Sequence, residues 1–275
     1  MNGATRLGVL GWPVAHSRSP AMQNAALSAV GLRDWRYQLL PVPPELLAET
    51  VGALPGAGFR GANVTIPHKE AALSLATATT PRARAIGAAN TLTFDGLAGI
   101  HADNTDAPAL IQALPFPVGG RTALVLGAGG SARAAVWALL DAGAGEVRVW
   151  NRTPERAGRL SADLGAIPTE IAEPADVLVN CTPSGLHADD STFGELPLSP
   201  DALGDFACVV DFVYADTETA LIRAARARSL PVIDGLELLV GQGALSFELF
   251  TGRRAPVDAM RLAVRASPAS VSSIR

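Results

Sequence analysis

The 275-residue chain is predicted to be an α/β protein of two parts, a mainly parallel α/β domain followed by a doubly wound one. Three observations predict it. Short apolar runs alternate with helical stretches along nearly the whole chain, the rhythm of strand–helix–strand units. A Pro/Gly cluster, Pro115-Phe116-Pro117-Val118-Gly119-Gly120, interrupts that rhythm near the middle and suits a boundary. With 48% of residues apolar and only 17% charged, the chain can bury more than one modest core, which argues against disorder.

In order, residues 6–12 read as a strand, 20–30 as a helix, 35–42 as a strand and 44–54 as a helix. Residues 59–66 are again strand-like and 68–76 helical. Two short runs within 90–103 flank Asp95-Gly96, a hairpin signal that adds an antiparallel element at the edge of the first sheet. In the second part, strands are expected at 122–126, 146–150, 175–181, 208–213 and 231–234. Helices are expected at 131–141, 155–164 and 218–228, followed by a long helix at 236–250 and another at 257–265. The expected division is residues 1–105 and 106–235, with a small polar tail, 268–275, expected to be disordered.

Charge and composition exclude several functions. Lys and Arg total 22 against 26 Asp and Glu, a net charge of −4, which gives no electrostatic footprint for nucleic acid or an anionic membrane. The four histidines, His16, His68, His101 and His187, have no metal-ligand spacing, so no metal site is expected. Cys181 and Cys208 read as buried free thiols of a reducing compartment. The apolar start is short, broken by Pro13 and followed by no small-residue cleavage pattern, and no run approaches a membrane span. A cytoplasmic protein is expected.

Gly127-Ala128-Gly129-Gly130-Ser131-Ala132 follows one predicted strand and opens a helix, matching G-x-G-x-x-A. The first glycine permits the tight turn, the second lets backbone approach a pyrophosphate, and the small third position lets helix and strand pack closely. Amide groups and the dipole at the helix start favour phosphate there. This predicts a Rossmann-type dinucleotide-binding domain. NAD sites usually carry an acid at the end of the next strand. Here stand Asn151-Arg152-Thr153, with Arg156 one turn further. A guanidinium without a carboxylate suits the 2′-phosphate of NADP, although a solvated strand-end arginine would look the same.

Four polar clusters of the first part are poorly explained by folding. In an extended loop Ser17 and Ser19 would share a side; Ser19 could instead cap the following helix, with Pro20 at its first position, which leaves Ser17 without a task. Asn63 and Thr65 fall on one strand face with Lys69 just past the strand end, where open α/β sheets bind ligands. Asn90-Thr91 and Asn104-Thr105-Asp106 complete the set, with helix capping an alternative for Thr105 or Asp106. On the long helix Gln242 interrupts the stripe Leu238, Leu245, Leu249. A buried amide needs partners, either in a ligand or within the protein.

At these motifs the chain resembles the shikimate dehydrogenase family, whose members reduce 3-dehydroshikimate with NADPH. The matching segments include Ser17-Arg18-Ser19-Pro20, Asn63-Val64-Thr65-Ile66-Pro67-His68-Lys69, Ala89-Asn90-Thr91 and Asn104-Thr105-Asp106. The glycine loop, Asn151-Arg152-Thr153, Asn180-Cys181-Thr182-Pro183-Ser184-Gly185, and Gly235-Leu236 with Gln242 follow in family order. The resemblance implies that Lys69 and Asp106 are the catalytic pair. It implies that Ser17 and Ser19 bind the substrate carboxylate, with Thr65, Asn90, Gln242 and nearby Asn63 around the ring. NADP would lie against Gly127, Ala128, Gly129, Gly130, Ser131, Ala132, Asn151, Arg152, Thr153, Arg156, Thr182 and Gly235. It further implies that helices within 236–267 return to the first, substrate-binding domain, and that the only small-molecule partners are shikimate or 3-dehydroshikimate and the cofactor, in a monomer or homodimer. His68 and Ser131 are minor departures. A quinate or dual-specificity dehydrogenase and a catalytically silent dinucleotide-binding regulator are the alternatives; intact Lys69 and Asp106 weigh against the second.

Overall fold

A computed structural model describes residues 4–96, 99–186 and 192–266. The elements run β1 (Thr5–Gly11), α1 (Ser19–Ala29), β2 (Trp35–Pro41), a 3₁₀ turn at Pro44–Leu46 and α2 (Leu47–Ala53). Next come β3 (Phe59–Val64), α3 (Lys69–Ser74), β4 (Ala78–Thr79), α4 (Pro81–Ile86), β5 (Thr91–Phe94) and β6 (Ile100–Asp103). Then follow α5 (Asp106–Ala113), β7 (Thr122–Leu126), α6 (Gly130–Asp141), β8 (Glu146–Trp150), α7 (Pro154–Leu164) and β9 (Ile167–Pro168). The chain continues through β10 (Val177–Asn180), α8 (Thr192–Glu195), β11 (Cys208–Asp211), α9 (Ala220–Ala227) and β12 (Val232–Ile233), and closes with α10 (Gly235–Thr251) and α11 (Val257–Arg265). Contacts group the chain into two units, Met1–Thr105 with Leu239–Arg275, and Asp106–Leu238. The border therefore falls within α10, after its first turn. The expected tail at 268–275 and His187 lie outside the described residues. No helix among the described residues is long and apolar enough to cross a membrane.

In the first unit six strands form one sheet in the order β2-β1-β3-β5-β6-β4. β1 pairs parallel with β2 and β3, while β5 pairs antiparallel with β3 and with β6. The hairpin is therefore internal rather than at the edge, because the two residues of β4 add on beyond it, parallel to β6 at His101 and Ala102. Leu10, Ala62, Val64, Leu92 and Ala102 on this sheet and Leu47, Val51 and Ala72 on α2 and α3 share a core. What this sheet positions is a polar row. Asn63 stands opposite Thr91, and Thr91 opposite Asp103, so β3, β5 and β6 present side chains at one end of the sheet.

The second unit has six parallel strands in the order β12-β11-β10-β7-β8-β9. Read from β7 as the first, this is the 3-2-1-4-5-6 order of the doubly wound dinucleotide fold. Alternate strand residues feed two cores: Ala123, Val125, Val147, Val149, Val177 and Val179 pack with α6 and α7, whereas Leu124, Leu126, Leu178 and Val209 pack with α9. Both faces are covered at the centre of the sheet, which is why β7, β10 and β11 read as largely apolar runs, whereas β8 alternates. The chain order reverses between β7 and β10, so the turns after these two strands are neighbours.

Candidate active site

In the first unit, amides and hydroxyls from five segments converge on the polar end of the sheet. The Asn63 amide nitrogen donates to Ser246 Oγ at 2.8 Å and lies 3.2 Å from both the Asn90 carbonyl and Thr91 Oγ1. Its oxygen accepts from the buried Tyr37 hydroxyl at 2.9 Å. Asn90 Oδ1 accepts from the Thr105 backbone N–H at 2.8 Å and from the Thr91 hydroxyl at 3.0 Å. The Asn90 amide nitrogen donates to Thr105 Oγ1 at 3.0 Å and, more weakly, to Gln242 Oε1 at 3.4 Å. Gln242 is half-buried, and its amide nitrogen donates to the Leu239 carbonyl at 2.9 Å. Sequence-predicted Asn63, Asn90 and Gln242 are thus brought together. Tyr37 and Ser246 join them unforeseen, and Thr91 and Thr105 take more central places than their motifs announced.

Lys69 is the first residue of α3, within the stretch read as helical; its side chain is buried and its carbonyl accepts from the Ala89 N–H at 2.8 Å. The neighbouring His68 is 2% exposed and its ring meets the Val42 carbonyl at 2.7 Å, which ties the α3 entrance to the end of β2. Asp106, also buried, is the first residue of α5. Thr65 lies one residue past β3, half-buried, with its N–H on the Leu10 carbonyl at 2.8 Å, which carries the pairing with β1 one step beyond the strand.

The serine pair also departs from expectation. The segment is not extended: Ser17 N–H closes a turn on the Val14 carbonyl at 3.0 Å and Arg18 is in the right-handed helical region. Ser19 is the first residue of α1 and makes no side-chain cap. Ser17 takes the task left unassigned to it, its hydroxyl oxygen accepting the Ser19 N–H at 3.3 Å. The Arg18 guanidinium donates to the Val264 carbonyl at 2.7 Å. The apolar stripe drawn through Leu238, Leu245 and Leu249 is likewise wrong, since Leu249 is 45% exposed. The buried residues of α10 include Leu238, Leu239, Val240, Ser246, Phe247 and Phe250, so the stripe holds at Leu238 and fails at its far end.

In the second unit the glycine loop joins β7 to α6. Gly127 has φ +109°, and a Cβ there would lie 3.0 Å from the Cys181 carbonyl group, so turn and neighbouring chain both demand glycine. At Gly129 an added Cβ would meet nothing within 4 Å. Gly130 starts the helix, Ser131 follows and Ala132 is fully buried, as close packing on the strand requires. Beyond β8, the Asn151 amide donates to the Thr153 carbonyl at 2.9 Å. Arg152 and Arg156 are exposed, and their guanidinium groups make no ion pair or hydrogen bond among the described residues. Beyond β10, Thr182 folds back on Asn180, its N–H and hydroxyl donating to Oδ1 at 3.1 and 2.7 Å. Gly235 opens α10 against backbone, where a Cβ would come 2.4 Å from the Val213 carbonyl oxygen.

Behind these turns sits a carboxyl group that the sequence reading overlooked. Asp211, wholly buried at the end of β11, accepts from Asn180 Nδ2 at 3.0 Å, Val213 N–H at 3.0 Å and the Thr219 hydroxyl at 2.7 Å. Burial pushes its pKa up to about 6 in spite of these three donors. The thiols divide differently from expectation: Cys208 is buried, with its pKa raised to about 11 by desolvation, but Cys181 is only half-buried; neither is in a disulfide.

Three family models match successive stretches: the shikimate dehydrogenase substrate binding domain over residues 9–92, shikimate / quinate 5-dehydrogenase over 112–185, and the shikimate 5'-dehydrogenase C-terminal domain over 235–265. A protein of Symbiobacterium thermophilum named shikimate dehydrogenase (NADP(+)) is 41% identical across 95% of this chain and 94% of its own length. The chain belongs to the shikimate dehydrogenase family. An Anaeromyxobacter dehalogenans member with the same name is 46% identical over 97% of this chain and 98% of its own. Among solved structures, the Thermus thermophilus shikimate 5-dehydrogenase in complex with NADP(H) and shikimate has TM-score 0.84 at 40% identity, with 95% of this chain and 98% of that one covered. The Aquifex aeolicus shikimate dehydrogenase gives TM-score 0.88 at 32% identity, over 97% and 99%. The family's two-part α/β fold, with its Rossmann-type unit, is the fold described above.

Proposed function

We propose that this chain catalyses the reversible NADPH-dependent reduction of 3-dehydroshikimate to shikimate, a step towards aromatic amino acids. The observation that carries the reading is the polar cluster of Asn63, Asn90, Thr91, Thr105 and Gln242 in one unit, with Lys69 in the same motif order as its family. An oxygen-rich ring offers hydroxyls that can give and take hydrogen bonds at once, and such a cluster matches that chemistry.

Lys69 and Asp106 are the pair to which we assign proton transfer. Hydride arriving at a ketone carbon leaves negative charge on the oxygen, and a placed donor must neutralise it. Bound NADPH supplies that hydride. Ser17 and Ser19 are assigned to the carboxylate, and Thr65, Asn90 and Gln242 to the ring hydroxyls. The Asn90–Gln242 bond of 3.4 Å is among the longest in the cluster, and a ligand hydroxyl could readily take its place. Asn63 already has protein partners on both ends of its amide, so its assigned role is positioning.

The second unit's residues fit NADP. Gly129 leaves room for close backbone approach at the start of α6, and Arg152 and Arg156 are two guanidinium groups available to a 2′-phosphate. Asn151, Thr153, Thr182 and Gly235 shape the surrounding turns. The reading carries with it a cytoplasmic location and no macromolecular substrate.

Spectrophotometric assay of purified protein at 340 nm, crossing shikimate or quinate with NADP⁺ or NAD⁺, tests it. Shikimate with NADP⁺ should give the highest kcat/KM. A preference for quinate, or no turnover with any combination, would overturn the assignment.

A further inference from the structure

We propose that Gln23 is a positioning residue that holds α1, the helix opened by Ser19, in register with α10, the helix bearing Gln242. It thereby sets the span between the groups assigned to the two ends of the substrate. The inference rests on the assignment of Ser17, Ser19 and Gln242 to the ligand, and it deepens it.

Gln23 is fully buried on α1. Its amide nitrogen donates to the Gly243 carbonyl on α10 at 3.0 Å, whereas its Oε1 is buried with no hydrogen-bond partner among the described residues. Turning the amide over would set that oxygen against the carbonyl oxygen, acceptor against acceptor. The orientation is therefore forced, and the isolation of Oε1 comes with it. A carbonyl inside a helix is already served by the N–H four residues on, so Gly243 does not need the bond. A buried acceptor without a donor costs at least as much stability as one net hydrogen bond returns. Methionine, unbranched and of similar length, fills such a space without the orphaned oxygen. For folding alone glutamine is a poor choice here.

The residue it bonds is a second costly choice. Gly243 lies in the middle of α10, where glycine is disfavoured against alanine. A Cβ there would collide with the Met22 methyl and stand 3.1 Å from the Met22 sulfur, and Met22 is fully buried. Glycine thus lets α1 press against the α10 backbone. Met22 and Gln23, adjacent on α1, meet α10 at the same residue, one by packing and the other by a directional bond.

The other ties of these helices run elsewhere. Asn24 fastens α1 to both Tyr37 backbone groups of β2, at 2.8 and 2.9 Å, and Arg18 reaches α11. Ser246 and Gln242 fasten α10 to Asn63 and Asn90. The Gln23–Gly243 bond joins α1 to α10 directly, beside the assigned ligand groups. Ser19 is one turn earlier on the same face of α1, and Gln242 is the residue before Gly243. A thioether packs adaptably and tolerates sliding, whereas the hydrogen bond fixes the register. A ligand with its carboxylate and hydroxyls on one small ring cannot stretch to follow a shifted anchor, so lost register becomes lost binding.

The test is Gln23→Met, measured by urea unfolding and by steady-state kinetics with shikimate and NADP⁺. The urea midpoint should equal or exceed that of wild type. The shikimate KM should rise about fivefold, the worth of one net hydrogen bond, with kcat lowered less than about threefold and the NADP dissociation constant unchanged. A structural bond would do the reverse, lowering the midpoint and leaving KM alone. Gly243→Ala, which improves the helix but drives Met22 off α10, should raise KM in the same selective way and serves where Gln23→Met does not fold. An unchanged KM, a lowered midpoint in Gln23→Met, or failure of both variants to fold would overturn the role of Gln23 and leave the proposed function standing. Absence of wild-type turnover of shikimate would overturn both.

Discussion

Replacing Asp211 with asparagine changes a carboxylate for an amide of nearly the same shape in the deepest polar site of the second unit. Desolvation is the largest influence on this carboxyl and raises its pKa. The Thr219, Val213 and Asn180 donors oppose it, and the charge of Asp234 adds a smaller upward push. Going from 3.8 to about 6 at 1.36 kcal/mol per unit makes ionised Asp211 cost on the order of 3 kcal/mol of folding free energy. Because the folded pKa is the higher, the contribution is fully present below the unfolded value near 3.8 and is lost as pH rises through about 6. Asparagine keeps an oxygen for Asn180 and Val213, and its amide can donate to Thr219, reversing that bond. Urea unfolding of both proteins at several pH values from 4 to 7 is the assay. The stability of Asp211→Asn relative to wild type should climb by about 2.5 kcal/mol across that window, which opens just above the unfolded pKa. A difference that stays flat with pH would mean that Asp211 titrates alike in both states, and the burial argument would fail.

Lys69→Ala should lower turnover by about 10²–10⁴-fold, the usual range for loss of a proton-transfer group, with NADP binding measured by fluorescence titration unchanged. Arg152→Ala removes a charge-assisted bond worth roughly 1.5–3 kcal/mol, so NADP binding should weaken about ten- to a hundredfold while NAD binding barely moves; equal losses would make Arg152 structural. Gln242→Ala should raise the shikimate KM several-fold, lower kcat less and leave NADP dissociation alone, and unaltered kinetics would remove it from the site.

Legibility in the sequence tracked how many residues specified each feature. β7 and β8 were readable to the residue, because each is a five-residue apolar or alternating run with turn signals on both sides. β4 and β9 were invisible, since two residues carry no periodicity and owe their pairing to neighbouring strands. Asn63, Asn90 and Gln242 stood out as polar groups where apolar ones belong. Ser246 did not, because serine is ordinary on a helix surface; the signal available was its place one turn after Gln242. Ser17 and Ser19 were misread in geometry through the assumption of an extended loop, which the turn at Val14 and the helical Arg18 remove. Asp211 went unnoticed because an acid ending an apolar strand resembles a solvated strand end.

The glycine loop shows why a fingerprint and a ligand site are not the same claim. Gly127 is required by the protein itself, through its positive φ and through the Cys181 backbone 3.0 Å from where a Cβ would stand. Any doubly wound unit in which the turns after β7 and β10 touch would select glycine there, with or without a dinucleotide. Ala132 is similar, its small side chain fully buried between α6 and the sheet. Gly129 differs: its φ is −101° and nothing crowds its Cβ position, so neither conformation nor packing within this chain asks for glycine. Of the three positions in the pattern, it is the one for which a close-approaching pyrophosphate supplies the physical reason. The functional content of the fingerprint rests on Gly129, joined to Arg152 and Arg156 beyond the next strand, more than on the glycine with the unusual backbone.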